Sequence, residues 1–176
     1  ATRRQSQELA RAYTDRQRGA GLTVWETPRI LPWTAWLERL WRTYARDEDV
    51  PGVLLDPVAA ARLWERVVAD SPSGSALVDA RAAARGAARA WQLAQEWRLA
   101  LEGVVPATPE HAALLEWART FVEACRERDW LDAARLAPTV AAAIATQPRR
   151  VAGRGPIGFH GFPEISPARH ALVTAL

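Results

Sequence analysis

The residues of this chain that could do chemistry are arginines that stand beside hydroxyl or aromatic side chains. Thr2, Arg3 and Arg4 open a predicted helix that runs to Arg18. Backbone N–H groups at a helix N-terminus, with arginines and a hydroxyl beside them, form a natural binding site for phosphate. A solvated first turn of the helix would place the same residues there, so the pattern leaves both interpretations open.

A second candidate segment runs from Thr27 to Trp36, with the sequence TPRILPWTAW. Its two prolines favour extended backbone before the next helix. Arg29 and Trp33 in such a segment could meet phosphates and stack on bases, as is typical of single-strand binding. Trp33 and Trp36 also lie at helical spacing with later apolar residues, so they could instead be core residues.

A third candidate is a stripe of arginines on a predicted helix. Arg81, Arg85 and Arg89 recur at intervals of four on one face of a helix expected from Ala76 to Leu101. Like charges at this spacing repel one another by roughly a few tenths of a kcal/mol per pair. Such a stripe would suit the phosphates of a DNA backbone. A solvated helix face is the alternative interpretation.

Motifs that would carry catalysis are absent from the sequence. It contains no glycine-rich phosphate loop, no HExxH and no GxSxG. The histidines His111, His160 and His170 lack the spacing of metal ligands. Cys125 is the only cysteine, which excludes an internal disulfide and favours a small core residue. We therefore expect no catalytic residue, no metal and no cofactor.

The composition sets broad bounds on the class of protein. All 23 basic residues are arginines, and the net charge is +3. A mild basic excess is compatible with nucleic acid but does not require it. The single cysteine and the lack of a signal peptide or a long apolar run predict a soluble, cytoplasmic protein. The chain contains no Met and starts at Ala1, so we expect it to be a piece of a longer parent.

Helix starts can be predicted from three dipeptides. Asp56-Pro57, Thr108-Pro109 and Ser166-Pro167 each place a capping side chain before a proline at the first helical position. Apolar residues follow each dipeptide at the spacing of a helix. Together with the opening helix, these patterns predict a mainly helical chain.

Strands are expected only near the two ends of the chain. Short β-prone runs lie at 22–25 and 156–162. Helices between two strand-like ends suggest a partial α/β core that is interrupted by a helical insertion. Residues 1–50 would belong to the core, 51–148 would form the insertion, and 149–176 would return to the core. The two ends are then expected to meet in space.

Several short segments, taken in order, resemble a known family. They are TRRQSQELAR at 2–11, WETPRILPW at 25–33, WL at 36–37, WRL at 97–99, WLDAARL at 130–136 and GFPEISPA at 161–168. This order resembles the bacterial "probable DNA repair protein" family, whose members are similar to the AddB-type subunit of helicase–nuclease complexes. Such proteins combine a helicase-like N-terminal half with a C-terminal PD-(D/E)xK nuclease.

The resemblance implies a place for each segment. Residues 2–12 look like a helicase motif that touches single-stranded DNA, and 27–37 look like the next motif along the DNA path. The central helices look like a subdomain inserted into the first helicase domain, so the resemblance implies that the partial α/β core is of the RecA-like helicase kind. Residues 156–176 look like the Walker B strand and the helix that follows it.

One departure from the family pattern concerns ATP hydrolysis. A working helicase needs an acidic pair at the end of the Walker B strand to hold Mg²⁺ and position water. This chain has His160, Gly161 and Phe162 there, with Glu164 as the sole carboxylate. The resemblance therefore implies a degenerate nucleotide site without ATP hydrolysis.

The resulting hypothesis is a non-catalytic, helicase-like segment of a DNA-repair and recombination helicase–nuclease subunit, which contributes DNA binding or scaffolding. The segment itself is not expected to be an enzyme, whereas its parent would be an exodeoxyribonuclease with a helicase-like half. Expected partners are DNA (single-stranded or at a duplex end), the parent's other domains and a partner subunit, but no membrane. The alternative is a protein–protein scaffold that docks those domains or that subunit without touching DNA.

Overall fold

The computed structural model describes residues 3–46, 52–101, 103–147 and 156–176. These residues are mainly helical, as predicted. The elements, in chain order, are α1 (Arg3–Gly19), α2 (Trp33–Tyr44), β1 (Val53–Leu54), α3 (Pro57–Ala69), a 3-10 turn (Gly74–Ala76), α4 (Ala80–Glu96), α5 (Pro109–Glu127), β2 (Trp130–Leu131), α6 (Leu136–Thr146) and α7 (Pro167–Ala175). No helix in the described ranges has the length and apolar character needed to cross a bilayer.

Two of the predicted helix starts carry the side-chain cap that the sequence indicates. The side chain of Asp56 accepts hydrogen bonds from the backbone N–H groups of Val58 and Ala59, and α3 begins at Pro57. The side chain of Thr108 accepts from the N–H of His111 at the start of α5. Both caps confirm the prediction, because each side chain satisfies N–H groups that lack a partner within the helix.

The third dipeptide also starts a helix but without a side-chain cap. Helix α7 begins at Pro167, yet Ser166 makes no capping hydrogen bond. The side chain of Ser166 is buried, and its Oγ has no hydrogen-bond partner among the described residues. Proline at the first helical position, with its φ already suited to a helix, is thus the local signal that operates here.

The prediction of strands near the two ends of the chain is wrong. Segments 22–25 and 156–162 form no strand, and their backbones run without a ladder partner. Val24 is 84% exposed, so it is not covered as one face of a sheet in a core would be. In the second, Gly161 has a φ of +75°, which turns the backbone out of an extended path.

The sheet that does form lies elsewhere and is small. Strands β1 and β2 pair in parallel, with Val53 opposite Trp130 and Leu54 opposite Leu131. Parallel strands need a long crossover, and helices α3, α4 and α5 supply it here. This two-stranded sheet does not confirm a RecA-like core, which requires a larger parallel sheet.

The helix expected from Ala76 to Leu101 is shorter at both ends. The side chain of Asp79 accepts from the N–H of Ala82, which starts α4 at Ala80. At the other end Arg98 adopts a φ of 55°, a left-handed conformation that ends the helix. The local cap and the left-handed residue override the helical propensity of the flanking residues.

The buried apolar residues form two clusters. The first cluster joins α3, α4 and α5 around Trp64 and Phe121, whose rings stack with centroids 4.2 Å apart. The second cluster joins α2, α6 and α7 around Val140, Ile144 and Leu172, which are fully buried. Each cluster is a separate small core, so the position of one relative to the other depends on what connects them.

The short loop after α3 is fixed by one buried hydroxyl group. The Oγ of Ser71 donates to the carbonyl of Val68 at 2.7 Å and accepts from the N–H of Gly74 at 2.9 Å. It also accepts from Nε1 of Trp117 in α5 at 2.7 Å. The hydroxyl thereby uses its one donor and both acceptor sites, which a buried polar group requires.

Cys125 and Asp132 are the titratable groups most affected by burial. Cys125 is 1% exposed in the first cluster, which confirms its prediction as a small core residue. Burial, reinforced by the nearby Asp132 carboxylate, raises the pKa of the Cys125 thiol to about 11. Burial likewise raises the pKa of Asp132, against hydrogen bonds that favour its charged form.

Two glycine-to-alanine substitutions should have opposite effects on stability. A Cβ at Gly74 would overlap the Val68 carbonyl, whereas a Cβ at Gly86 within α4 would meet nothing within 4 Å. We expect Gly74→Ala to lower the free energy of unfolding by about 1–3 kcal/mol. The matched Gly86→Ala should raise it by about 0.5–1 kcal/mol, because alanine favours a helix more than glycine does. Urea unfolding measures both, and equal shifts for the two variants would contradict the packing described.

Asp132→Asn should change how stability depends on pH. Folding raises the pKa of Asp132 above its ordinary value of 3.8, so protonation stabilises the folded state. That contribution is present at low pH and is lost as pH rises through the folded pKa. The free energy of unfolding of the variant, relative to the wild type, should therefore rise from about pH 4 upward, by about 1.4 kcal/mol per unit of raised pKa. Parallel stability curves for the two proteins would contradict the assignment.

Candidate functional site

The predicted phosphate site at the opening helix is only partly described. Thr2 lies outside the described residues, and Arg3 is the first residue of α1. The Nε of Arg4 lies 3.0 Å from Oε1 of Glu8, with the two side chains 88% and 58% exposed. An exposed pair of this kind contributes little stability and is readily exchanged for another anion.

Arg29 lies in the segment between α1 and α2. The residues from 22 to 32 form neither helix nor strand. The backbone predicted to be extended over 27–32 contains a tight turn at Arg29, where the N–H of Ile30 donates to the Pro28 carbonyl at 3.1 Å. The side chain of Arg29 is exposed and makes no ion pair within the described part of the chain. Its guanidinium group is therefore available to an external anion.

The arginine stripe lies on the exposed face of α4, but its members differ. The Nε of Arg81 lies 3.2 Å from Oε1 of Glu65 in α3. Arg89 donates from Nη1 to the side chain of Gln92 at 3.4 Å. Arg85 is exposed and has no ion pair with a described residue. The sequence could not reveal the Glu65 partner, because that residue comes from another helix.

Four aromatic side chains from distant parts of the chain form one group, which we call the aromatic cluster. Its members are Trp33, Trp36, Phe159 and Phe162. The ring of Trp33 lies 5.2 Å from that of Trp36, and 6.2 Å and 5.7 Å from those of Phe159 and Phe162. Trp36 meets Phe159 edge-on at 5.5 Å. These spacings are typical of favourable aromatic pairs.

Arg169 joins the aromatic cluster to α4. Its guanidinium group lies 5.7 Å from the ring centroid of Trp33, a cation–π distance. Its Nη2 also lies 2.7 Å from Oε1 of Glu96, with the two side chains 34% and 25% exposed. Sequence reasoning missed Arg169, since neither of its partners is near it along the chain.

A groove of about 160 Å³ runs between the two clusters beside Arg169. Leu55 and Leu136 contribute apolar walls from opposite sides, and Glu38 and Glu96 supply carboxylates. Both carboxylates have an arginine partner, since Glu96 pairs with Arg169 and Oε2 of Glu38 lies 3.9 Å from Nη2 of Arg42. The arginine of the groove is therefore already paired, and it offers less to a phosphate backbone than the exposed arginines outside the groove do.

The residues assigned to the degenerate Walker B strand lie beside the opening helix. The side chain of Gln5 in α1 lies against Gly161. His160 and Glu164 are exposed, and Phe162 belongs to the aromatic cluster. The two ends of the chain thus meet, as predicted, but they do so through aromatic packing rather than a shared sheet.

Metal chemistry finds no support in the described residues. No group of three or more histidine, cysteine, aspartate or glutamate side chains within those ranges could hold a metal ion. Glu164 is exposed on an irregular segment. The exposed arginines Arg4, Arg29 and Arg85 are groups that could meet an anion, whereas Arg169 beside the aromatic cluster is already paired with Glu96.

Removal of the two phenylalanines should release the segment between α6 and α7. In Phe159→Ala/Phe162→Ala the segment loses its ring contacts with Trp33 and Trp36. Each lost aromatic pair is worth about 0.5–1.5 kcal/mol, so proteinase K cleavage there should accelerate by about tenfold or more. Ile157→Ala, in the same segment and 37% exposed, is the matched control and should cleave at nearly the wild-type rate. Similar rates for both variants would show that the rings do not anchor the segment.

Comparison with known proteins adds no relative to this description. No family model, no curated protein and no solved structure matches the chain. A function for this chain therefore depends on its own residues and geometry.

Proposed function

We propose that this chain is a non-catalytic, helicase-like segment of a DNA-repair and recombination helicase–nuclease subunit, and that it contributes DNA binding. The observation that carries the proposal is the meeting of three segments whose order resembles that family. Gln5 of the opening helix lies against Gly161, and Trp33 packs on Phe159 and Phe162. Segments placed along a DNA path and at a nucleotide site would be neighbours in a helicase fold, and here they are neighbours.

The exposed arginines support a sequence-independent contact with DNA. Arg29 and Arg85 are exposed and make no ion pair with the described residues, and the pair of Arg4 with Glu8 is exposed. Arginine binds phosphate through two parallel N–H groups, and release of counterions from DNA drives such binding. We assign the first contacts to Arg3, Arg4 and Arg29, and further contacts to Arg85 and its neighbours on α4.

In this proposal Trp33 positions the DNA-binding segment rather than stacking on a base. Its ring already contacts Trp36, Phe159 and Phe162 and lies next to Arg169. A ring packed in this way has little free face for a base. Trp33 would instead anchor the end of the segment that carries Arg29, so that Arg29 lies at a fixed distance from α2.

The proposal also assigns the segment 156–164 to a nucleotide site that has lost its function. Its only carboxylate, Glu164, is exposed and has no acidic neighbour along the segment. A magnesium site in a helicase needs more than one such ligand next to bound phosphates. Movement along DNA driven by ATP would then belong to another part of the assembly.

A protein–protein scaffold is the second candidate function, and one specific observation favours it. Apolar side chains are exposed where α4 ends and in the loop that follows. Trp97 is 44% exposed, Leu99 59% and Val105 85%. Exposed apolar residues that lie together along the chain can mark a surface covered by another domain or subunit.

Titration of single-stranded DNA against salt tests the DNA proposal. We expect a fluorescein-labelled oligothymidylate to bind the chain with an affinity that falls steeply with salt, because phosphate contacts release counterions. The logarithm of affinity should fall with that of salt by about 0.7 per phosphate contact. Arg29→Gln should weaken binding and reduce this slope by about one contact, that is by about 0.7. Fluorescence anisotropy gives both quantities.

Arg119→Gln is the matched control for that experiment. Arg119 is exposed on α5, carries the same charge and belongs to none of the proposed contacts. Its substitution should leave the slope nearly unchanged. If the wild-type chain binds no oligothymidylate even at low salt, the DNA proposal is wrong. Self-association that does not respond to salt, measured by sedimentation, would then favour the scaffold.

A further inference from the structure

A second cavity, separate from the proposed DNA contacts, is lined by three arginines. It has a volume of about 300 Å³ and lies between the start of α3, the end of α5 and β2. Arg62 and Arg66 reach it from α3, and Arg128 reaches it from the end of α5. Three guanidinium groups around one cavity repel one another, and the acids beside them, Asp56 in the lining and Glu127 next to Arg128, are fewer than the arginines.

Arg128 is held in place at this cavity. Its Nη1 donates to the carbonyl of Ala124 at 3.0 Å, and its guanidinium carbon lies 5.5 Å from the ring centroid of Trp130. The carboxylate of Glu127 lies 3.6 Å from Nη1, with the two side chains 43% and 58% exposed. An arginine fixed by a carbonyl and a ring loses less freedom when it binds an anion than a mobile one does.

The other two arginines make no ion pair with a described residue. Arg62 and Arg66 are exposed, one helical turn apart, and neither makes an ion pair. Glu65 lies between them in sequence but pairs with Arg81 of α4 at 3.2 Å. Asp56, which also lines the cavity, uses its carboxylate to accept the N–H groups at the start of α3. Glu65 is thus committed to Arg81, whereas Asp56 keeps its negative charge, which leaves the lining with three arginines and one aspartate.

We propose that this cavity binds the phosphate of a nucleotide, either free or within a single strand. Arginine matches phosphate with paired N–H donors, and Arg62, Arg66 and Arg128 surround the cavity from two sides. Apolar groups of Val58, Ala59 and Leu63, together with Trp130 and the carboxylate of Asp56, complete the lining, and a sugar or base can rest on its apolar part. A volume of about 300 Å³ is at the small end of the range for ligand sites.

This site goes beyond the proposed function, because none of its residues is among the proposed DNA contacts. It rests on the unpaired charges and the cavity, and not on the resemblance to a helicase. The two sources of the phosphate differ in one respect. A free nucleotide needs only the cavity, whereas a strand must also continue across the surface next to it.

Nuclear magnetic resonance of the full chain can test the site directly. The indole N–H of Trp130, identified with a Trp130→Phe variant, serves as the reporter because Trp130 lines the cavity. Thymidine monophosphate, an eight-residue oligothymidylate and sulfate are titrated separately at the same ionic strength. We expect the nucleotide or the oligonucleotide to shift this resonance at a concentration at least tenfold lower than sulfate does. Equal response to sulfate would show a general anion surface and overturn the proposal.

Two variants with the same change in charge decide whether the arginines are responsible. Arg62→Gln/Arg66→Gln should weaken binding of the nucleotide or oligonucleotide at least tenfold. Arg39→Gln/Arg119→Gln removes two exposed arginines elsewhere and should bind as the wild type does. Tighter binding of the oligonucleotide than of the mononucleotide identifies a strand as the source, and equal binding identifies a free nucleotide. Unchanged binding in the first variant overturns the proposal.

Discussion

The short segment from Asp129 to Asp132 fixes the position of one hydrophobic cluster of this protein relative to the other. The Asp129 carbonyl accepts from the N–H of Val53, and the Leu131 carbonyl accepts from that of Leu55, both at 2.8 Å. The buried carboxylate of Asp132 accepts from Nε1 of Trp91 in the first cluster at 3.3 Å. A buried carboxylate is costly unless it is hydrogen-bonded, so this contact fixes one arrangement of the two clusters.

The position of the aromatic cluster follows from this junction. Leu131 belongs to the second cluster. Helix α2 contributes buried residues to this cluster, and Trp33 and Trp36 of the same helix pack against it. The contact of Arg169 with Glu96 then ties the same region to α4. The segment that carries Arg29 leads directly into α2. The distance between Arg29 and the arginines of α4 is therefore determined by residues that belong to neither group. The surface proposed to bind DNA therefore depends on a buried polar contact between two small cores.

Local features of the fold could be predicted from the sequence, and non-local ones could not. The starts of α3 and α5 follow from Asp56 and Thr108, because a cap and a proline act within one helical turn. The pairing of Val53 with Trp130 joins residues 77 positions apart, as the hydrogen bond from Gly52 to the Asp129 side chain also does. No local pattern marks such a pair when each strand has only two residues. The run at 156–162 was predicted to be a strand because it is apolar. Its phenylalanines instead pack on tryptophans and not in a sheet.

The same distinction applies to charge, and it determines where an anion can bind. The arginines at 81, 85 and 89 were visible as a stripe, yet Arg81 is partly neutralised by Glu65 from another helix. Arg62 and Arg66 form an unremarkable pair in sequence, and they gain significance only because folding brings Arg128 to the same cavity. Because Glu65 pairs with Arg81, it does not neutralise Arg62 or Arg66 next to it. The carboxylates Glu38 and Glu96 meanwhile face the groove between the clusters. Ion pairs formed on folding thus help to determine which arginines stay available to a phosphate backbone, and Arg62 and Arg66 are among those that make no pair with a described residue.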